Sequence, residues 1–465
     1  MHANRFPATR APRRIALALA LAATLATAAA ADVFDKPDTD FKGQVRPATP
    51  LVVPGAEVEL AGSGFKPGQS VTLTRGDSVL GGKAQVADAE GKFSLKFALP
   101  ADAAIGRHPI VVRTDAPDAA SVVELKVSPS VPLSGAERFD VASAKLVQGL
   151  YQSAYGAKSD AVFVTSAVGR PPVTRSELLK VDPRTLQIVA RTTPAKVAGH
   201  DDGRVYAVYG VAVDDANGTV WVTNTRDDTV AVYRQADLSL VKQFDAGTVP
   251  HSRDVIADAK RGKVYASATG ETYLAVFDAK SPTFVKNLQI ESKQRGGKFV
   301  PMSLELDEAS GKLFTVSLEA GEAAIIDTAT DTVDSVIALP NAHTASGVAY
   351  DAARNHLLVV SQGSDNLLVV DAASGKVLHD IAVGAGPLNV AFDAASGLAY
   401  VSNRGAGTVT VVDRDGKIVA NLDGGTFPNH VHEDGKGHVF AVNKSRGEDD
   451  PKGDHITRIA PKAAR

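Results

Sequence analysis

Histidines near the C-terminus form the one metal-like pattern in the sequence. His430 and His432 are two residues apart, and Glu433 follows them directly. Side chains two apart on a strand point to the same face, so both imidazoles could reach one ion. Two imidazoles leave a metal site incomplete, and a third ligand such as His343 or His251 would have to come from elsewhere in the chain. We therefore predict no metal site.

Catalytic and redox motifs are missing from the sequence. The chain has no cysteine, which excludes disulfides, thiolate nucleophiles, cysteine-ligated zinc and iron–sulfur clusters. It also lacks a Gly-x-Ser-x-Gly elbow, a His-Glu-x-x-His helix, a phosphate loop and a dinucleotide fingerprint. We predict no catalytic residue and no cofactor.

Basic residues in turn-rich segments suggest a different chemistry. Arg226, Arg253, Arg404 and Lys444 each lie beside glycine, asparagine, aspartate or serine in the sequence. The planar fork of arginine suits phosphate or carboxylate groups. Cations in polar loops can equally well be solvated and bind nothing. Which of the two holds depends on whether the fold brings these side chains together.

Composition indicates a large, all-β protein. A chain of 465 residues is long enough for two or three domains. Hydrophobic residues make up 44% and charged residues 22%, as in globular proteins that fold in water. The 40 glycines and 24 prolines indicate many turns between short elements, which favours strands over helices.

Residues 1–31 have the order of a secretory signal peptide. Four arginines lie between residues 5 and 14, an apolar run follows from Ile15 to about Ala26, and alanines occupy 28–31. The apolar run is shorter than the ~20 residues that span a membrane. We predict cleavage near Ala31, a periplasmic or secreted location and no membrane span in the mature chain. Loss of the leader makes the chain more acidic than its formal net charge of −3, so any attraction to polyanions must be local.

A small sandwich is expected at 47–128, after a linker at 32–46. Short runs such as Val58-Glu59-Leu60 and Phe93-Ser94-Leu95-Lys96-Phe97 alternate apolar and polar residues, the period of half-buried strands. Turn residues such as Gly62-Ser63-Gly64 separate them. The segment resembles the Ig-like modules of bacterial secreted proteins through residues 62–68 and 88–93, which implies a β-sandwich acting as a spacer or adhesive unit.

After a second linker at 129–138, residues 139–465 repeat one unit seven times. A large apolar residue recurs after a turn and before a small polar residue, at intervals of 40 to 58 residues. These anchors are Phe163, Trp221, Tyr265, Phe314, Leu358, Tyr400 and Phe440. Each unit reads as four strands, and four-stranded units of this length are propeller blades.

The two ends of the repeat array are expected to pair. The last copy has room for three strands, whereas 139–147 is a strand-like run that precedes the first copy. Pairing of these segments would close a ring of seven blades. The sequence thus predicts an all-β protein, a seven-bladed β-propeller preceded by a small Ig-like β-sandwich.

Short motifs carry a family resemblance. Trp221-Val222-Thr223-Asn224, Tyr400-Val401-Ser402-Asn403 and Phe440-Ala441-Val442-Asn443 resemble the Tyr-Val-Thr-Asn signature of one propeller superfamily. The order and spacing of 178–189 and 253–267 are similar to the bacterial YncE family. The resemblance covers 139–465 and implies a periplasmic, seven-bladed, non-enzymatic binding protein with single-stranded DNA as a ligand.

Ligands of propellers usually bind where the loops that enter the innermost strands meet the loops between second and third strands. We call this end the top face. Reading those positions in each copy gives the predicted ligand-binding residues Tyr209, Arg226, His251, Arg253, His343, Arg404, His430 and Lys444. Arginine and lysine would hold an anion such as single-stranded DNA, and Tyr209 would stack on a base or sugar.

Two alternatives stay open. Related propellers include lactonases and dehydrogenases, in which case His343 or His430 would be a base and an arginine the oxyanion partner. The chain could also be a protein-interaction scaffold with a partner at the cell envelope. We favour a monomeric binding protein over both, because the cations cluster and catalytic motifs are missing.

Overall fold

The computed structural model describes residues 38–115 and 117–462, and the chain divides into two compact units. The predicted signal peptide at 1–31 lies outside the described residues. The first unit contains Glu57–Phe97 and His108–Leu125, and the second contains the chain from Lys126 onward. Within the described ranges, no helix is long and apolar enough to cross a membrane.

The N-terminal part of the chain folds into two antiparallel sheets. Its strands are β1 (Gln44–Pro47), β2 (Glu57–Ser63), β3 (Ser70–Arg75), β4 (Ser78–Val79), β5 (Gln85–Val86), β6 (Phe93–Ala98), β7 (Gly106–Asp115) and β8 (Ala119–Val127). One sheet has the order β1-β2-β6, and the other has the order β4-β3-β7-β8 with β5 also paired to β3. A 3₁₀ turn at Leu80–Gly82 follows β4.

Alternating burial explains these strands. In β2 and β3 every second residue is buried, so Val58, Leu60, Val71 and Leu73 face the interior while their neighbours face solvent. Phe65 closes one end of this core and lies 5.4 Å from Phe93 between ring centroids. The two-sheet arrangement agrees with a sandwich, and its assignment to the Ig-like class stays a prediction.

The elements that follow β8 are a 3₁₀ turn at Ala136–Arg138 and β9 (Phe139–Lys145). Blade 1 consists of β10 (Leu150–Gly156), β11 (Ala161–Val168), β12 (Arg175–Val181) and β13 (Ile188–Thr192). Blade 2 consists of β14 (Val208–Asp214), β15 (Thr219–Asn224), β16 (Thr229–Arg234) and β17 (Leu240–Gln243). Blade 3 consists of β18 (Ser252–Asp258), β19 (Lys263–Ala268), β20 (Tyr273–Asp278) and β21 (Thr283–Gln289).

Blades 4 to 7 repeat the pattern. Blade 4 consists of β22 (Pro301–Asp307), β23 (Lys312–Ser317), β24 (Glu322–Asp327) and β25 (Thr332–Ala338). Blade 5 consists of β26 (Ala345–Asp351), β27 (His356–Ser361), β28 (Asn366–Asp371) and β29 (Val377–Ala382). Blade 6 consists of β30 (Pro387–Asp393), β31 (Leu398–Asn403), β32 (Thr408–Asp413) and β33 (Ile418–Asp423). Blade 7 contains β34 (Pro428–Glu433), β35 (Val439–Asn443) and β36 (His455–Pro461).

The predicted closure is present. β9 pairs antiparallel with β36 from Phe139 opposite Pro461 to Lys145 opposite His455, and so supplies the fourth strand of blade 7. Within the described residues the second unit therefore has seven four-stranded sheets, which form a seven-bladed β-propeller. The ends of the propeller chain are fastened by main-chain pairing.

Burial follows radial position in each blade. The second strand of blade 2, β15, is buried at every residue because it packs against neighbouring blades on both faces. The outer strand β21 is exposed at six of seven positions. The repeat anchors lie in the second strands, and Trp221 illustrates their role by packing against Phe277 of the next blade at 5.5 Å between ring centroids.

Aspartates at the ends of third strands fix the turns that follow. Asp371 Oδ1 accepts hydrogen bonds from the Ser374 backbone N–H at 2.7 Å and from its hydroxyl at 2.6 Å. Asp278 Oδ1 accepts the Ser281 backbone N–H at 2.6 Å in the same way. These carboxylates are turn formers, as their positions in the sequence predict.

Candidate functional site

A bulge interrupts the innermost strand of every blade near its start. In β10 the register with β11 shifts between Leu150 and Ser153, and the other six innermost strands shift at the equivalent place. A bulge re-aims the side chains of the strand that contains it. Two consecutive residues follow the first paired residue of each innermost strand. We call the first the rim position and the second the bulge position. The rim residues are Tyr151, Tyr209, Arg253, Met302, Ser346, Leu388 and Asn429, and the bulge residues are Gln152, Gly210, Asp254, Ser303, Gly347, Asn389 and His430.

Side chains at four of the seven bulge positions link their blade to the next one. Each of the four accepts a hydrogen bond from a backbone N–H of the following innermost strand. The pairs are Gln152 Oε1 with Val211 at 3.2 Å, Asp254 Oδ2 with Leu304 at 2.9 Å, Asn389 Oδ1 with Val431 at 2.9 Å, and His430 Nδ1 with Ser153 at 3.3 Å. Because His430 accepts through Nδ1, its proton is on Nε2. His430 thus holds the seam between blade 7 and blade 1.

Rim residues of blades 1 and 2 form the aromatic centre of the top face. The rings of Tyr151 and Tyr209 meet edge to face, with centroids 4.2 Å apart. Tyr209 is only 4% exposed, so its ring is not open to a stacking base. Its hydroxyl instead accepts a hydrogen bond from Arg226 Nε at 3.3 Å. Tyr209 therefore positions Arg226.

Lys444 and Arg404 approach the same centre from blades 7 and 6. Lys444 Nζ lies 3.3 Å from the centroid of the Tyr151 ring. Arg404 Nη1 donates to Asn429 Oδ1 at 2.7 Å, and Asn429 Nδ2 donates to the Tyr151 carbonyl at 2.6 Å. The Arg404 guanidinium also lies over the Phe427 ring at 4.9 Å. Both cations are thus fixed relative to Tyr151.

The neighbouring positive charges repel one another, and burial together with this repulsion lowers the pKa of Lys444 and of Arg404. Burial, and then the charges of Arg404, Arg253 and Arg226, lower the pKa of Lys444 to about 7, while Asp454 opposes the shift. Burial and the charge of Arg253 also lower the pKa of Arg404. We call Arg226, Arg253, Arg404 and Lys444 the cationic cluster. In the described part of the chain, none of the four has a carboxylate within ion-pair distance.

The two remaining predicted histidines lie in different places. His251 is near the cationic cluster, because burial and the charges of Arg226 and Arg253 lower its pKa. Its backbone N–H donates to Asp228 Oδ1 at 2.7 Å. His343 is exposed, and its backbone N–H donates to Ser364 Oγ at 3.2 Å. No contact among the described residues joins His343 to the cluster.

A cavity of about 170 Å³ lies along the central channel and is lined by the innermost strands of all seven blades. Its polar lining includes Asp254, Glu305, His432 and Glu433. Burial, and then the charges of Glu433, Asp254 and Asp307, raise the pKa of Glu305 to about 8. Glu305 is therefore largely protonated at neutral pH.

The metal-like histidine pair also lines this channel. The rings of His430 and His432 are stacked at 6.5 Å between centroids. Burial lowers the pKa of both imidazoles. Among the described residues, no group of three histidine, aspartate or glutamate side chains has a geometry that could hold a metal ion.

Sequence reasoning missed Tyr151 and Phe427 as parts of the candidate site. Tyr151 holds the same place in blade 1 as Tyr209 in blade 2, directly before the bulge residue. Aligning the copies by their innermost strands, rather than by the anchors of the second strands, would have identified it. Phe427 has no such signal, because its role depends on Arg404 folding over it.

Two proteins of known sequence are similar to this chain over most of its length. Two uncharacterized proteins named YncE, from Salmonella typhimurium and Salmonella typhi, are each 26% identical to this chain over 330 residues, which covers 67% of this chain and 88% of theirs. No family model matches the chain.

Solved structures share the fold at low sequence identity. Hydrazine synthase from Kuenenia stuttgartiensis has a TM-score of 0.54 at 16% identity and covers 69% of this chain and 98% of its own. A catalytically inactive virginiamycin B lyase from Staphylococcus aureus has a TM-score of 0.53 at 11% identity and covers 70% of this chain and 100% of its own. These likenesses concern the propeller architecture.

Proposed function

Since this chain is homologous to the YncE proteins and contains a β-propeller, we propose that it is a binding protein whose top face holds an anionic ligand. The ligand class is a phosphate-bearing polyanion, with single-stranded DNA as the form to test first. The cationic cluster is the binding site.

One observation carries the proposal. Arg226, Arg253, Arg404 and Lys444 converge on one end of the channel, and no carboxylate within ion-pair distance neutralises them in the described part of the chain. Packing cations together without a counter-ion costs free energy, as the lowered pKa of Lys444 indicates. An anion bound among them would remove that cost.

The hydrogen bonds of the cluster support recognition of oxyanions. Arg226 and Arg404 each use one N–H group on a protein partner, Tyr209 and Asn429 respectively. The remaining guanidinium donors are left for a ligand, and a fixed guanidinium plane suits bidentate contacts with phosphate or carboxylate. Arg253 makes no side-chain hydrogen bond among the described residues. Tyr151 and Tyr209 support the cations in this account and do not stack on bases.

Overall charge limits what the site can attract. The formal net charge is −3, so long-range steering of nucleic acid is weak and affinity must come from the local cluster. This favours a few direct phosphate contacts over a broad electrostatic footprint. Export to the periplasm or cell exterior is part of the same proposal and rests on the pattern at 1–31.

Binding is favoured over catalysis by the state of the histidines. Nδ1 of His430 already accepts a hydrogen bond from Ser153, and Nε2 carries the proton, so the ring has no free lone pair for a general base. His343 lies away from the cationic cluster. Neither histidine of the enzyme alternative is therefore a positioned base beside the arginines. A scaffold role has no specific observation in its favour.

Fluorescence anisotropy of a labelled single-stranded oligonucleotide tests the proposal. The triple variant Arg226→Gln, Arg253→Gln and Arg404→Gln should bind at least roughly a hundred-fold more weakly, because each charge-assisted contact contributes about 1.5–3 kcal/mol. The matched control replaces three exposed arginines of the outer surface, Arg184, Arg191 and Arg234, by glutamine. Equal affinity for the folded triple variant and the control would overturn the proposed site.

A further inference from the structure

Lys444 differs from ordinary surface lysines in what surrounds its amine. Nζ lies over the Tyr151 ring at 3.3 Å, and no described residue provides it with a hydrogen-bond acceptor or a paired carboxylate. Lys452 in the same blade-7 loop shows the usual arrangement, since its Nζ is 3.0 Å from Asp423 Oδ2 and its side chain is 67% exposed. The Lys444 amine is therefore held over an aromatic ring, and no acceptor or carboxylate among the described residues occupies it.

The backbone beneath Lys444 is firmly held. Its N–H donates to the Phe427 carbonyl at 3.1 Å. The preceding residue, Asn443, is buried and its Nδ2 donates to the carbonyls of Gly424 at 3.1 Å and Lys452 at 2.6 Å. A long side chain on a fixed base, packed on a ring, keeps its amine in one region of the site.

Neighbouring cations keep the Lys444 amine unprotonated in a fraction of the molecules. Repulsion from Arg404, Arg253 and Arg226, added to burial, brings the pKa of Lys444 to about 7. At neutral pH about half of the molecules then carry a free amine, whereas an ordinary lysine is almost fully protonated. Desolvation and adjacent cations are the two features that activate lysine as a nucleophile toward carbonyl groups.

A ligand that contacts both the cationic cluster and the unprotonated Lys444 amine carries an anionic group next to a carbonyl. We infer that the cationic cluster binds 2-oxo carboxylates and that the Lys444 amine, packed on Tyr151 beside Arg404, forms a Schiff base with their carbonyl carbon. The carboxylate would lie on the guanidinium groups, which places the adjacent carbonyl toward Nζ. This inference rests on the proposed anion site and names a second ligand class for it.

The step needs no redox partner. The lone pair of the free amine attacks the carbonyl carbon and forms a C–N bond. Both amine protons pass to the carbonyl oxygen, which leaves as water, and a C=N bond results. Bound imine is in equilibrium with free ligand, so the adduct is visible only when it is trapped.

Borohydride trapping of the full mature chain tests the inference. The protein is incubated with pyruvate at neutral pH, the imine is reduced to a stable secondary amine, and peptide mass mapping locates the label. Labelling at Lys444 should exceed labelling at Lys452 by at least about ten-fold, because free-amine content and anion docking both favour Lys444. Acetone, which has the carbonyl without the carboxylate, should label Lys444 more slowly than pyruvate does, and inorganic phosphate should suppress the pyruvate reaction.

Two variants separate this inference from the proposed anion site. Lys444→Arg removes the nucleophilic amine, so it should lose the pyruvate label whatever its oligonucleotide affinity. Arg404→Gln should weaken both oligonucleotide binding and labelling. Wild-type protein that binds oligonucleotide but shows equal labelling at Lys444 and Lys452 would overturn the Schiff-base inference and leave the anion site standing. Specific labelling of Lys444 without oligonucleotide binding would overturn the nucleic-acid ligand and support the oxo-acid one.

Discussion

His430 Nδ1 accepts the backbone N–H of Ser153 at 3.3 Å, across the seam where the last blade meets the first. The same bond recurs at the bulge positions of blades 1, 3 and 6 with other acceptors, from Gln152, Asp254 and Asn389. One backbone irregularity thus does two things in this propeller. It ties neighbouring innermost strands together, and it sets the preceding rim residue at the top face.

The seam bond predicts a specific substitution pattern at His430. Asparagine provides the acceptor at the equivalent place in blade 6, so His430→Asn should keep the bond and cost little stability. His430→Ala leaves the Ser153 N–H unpaired in a buried site, which costs about 1–3 kcal/mol. Urea unfolding of both variants at pH 8 measures the difference. Equal stability of the two variants would contradict a seam role for His430.

Lowering the pH should reduce the folding stability of the wild-type protein through His430. Burial, followed by the charges of His432 and Arg253, lowers the pKa of His430 well below its usual value. The unfolded state then binds more protons below about pH 6.5, so stability is complete above that pH and is lost as the pH falls. His430→Asn should show a smaller loss between pH 8 and pH 5 than wild type. Both proteins keep His432, so the difference between them comes from replacing His430.

Glu305 should destabilise the protein as the pH rises. Burial and nearby carboxylates raise its pKa to about 8, so charging it above the unfolded value of about 4.3 costs free energy in the folded state. Glu305→Gln removes that cost. The variant should be more stable than wild type at pH 7, with an advantage that grows from pH 4 to pH 8 and then levels off. A constant difference across this range would contradict the assignment.

Anion affinity should depend on pH through Lys444. Its pKa of about 7 means that the cluster loses one positive charge as the pH rises through neutrality. Oligonucleotide affinity of the wild type should therefore fall between pH 6 and pH 9, by up to about ten-fold for one charge-assisted contact. Lys444→Arg stays charged and should show a flat profile. Matching pH profiles for the two proteins would show that Lys444 does not titrate in the site.

Asn429 should control the position of Arg404. Its amide accepts from Arg404 and donates to the Tyr151 carbonyl. Asn429 Oδ1 now lies 2.7 Å from Arg404 Nη1, and Asn429→Asp keeps this acceptor but makes it part of a negatively charged carboxylate. That charge competes with a bound anion and should reduce oligonucleotide affinity by about ten-fold or more. Asn429→Asp with unchanged affinity would place Arg404 outside the site.

Much of the fold follows from the sequence. The anchors from Phe163 to Phe440 fall in the second strands because those strands are packed on both faces, and a large apolar residue there is needed in every copy. The closure by β9 follows from counting strands in the last copy. The anchors and the strand count are patterns that repeat along the chain, so they can be recognised in the sequence without three-dimensional information.

The site was predictable only in part, for a physical reason. Arginines in loops identify a cationic face once the blade geometry is known. The partners that orient them, Tyr209 for Arg226 and Asn429 for Arg404, come from other strands or blades. Likewise, His430 looks like a ligand in the sequence, whereas its contact with Ser153 exists only after the ring closes. Contacts across blades depend on closure geometry, which residue spacing within one copy does not encode.

The most direct test of the anion site is the salt dependence of oligonucleotide affinity. Each phosphate neutralised on a single strand contributes a slope of about −0.7 to the plot of log affinity against log salt. Wild-type protein should give a slope of about −2 to −3, from three or four cations. The triple variant of Arg226, Arg253 and Arg404 keeps only Lys444 of the cluster and should give a slope of about −0.7, with residual weak binding. A wild-type slope near zero, or a slope that the triple variant retains, would contradict the cationic cluster as the ligand site.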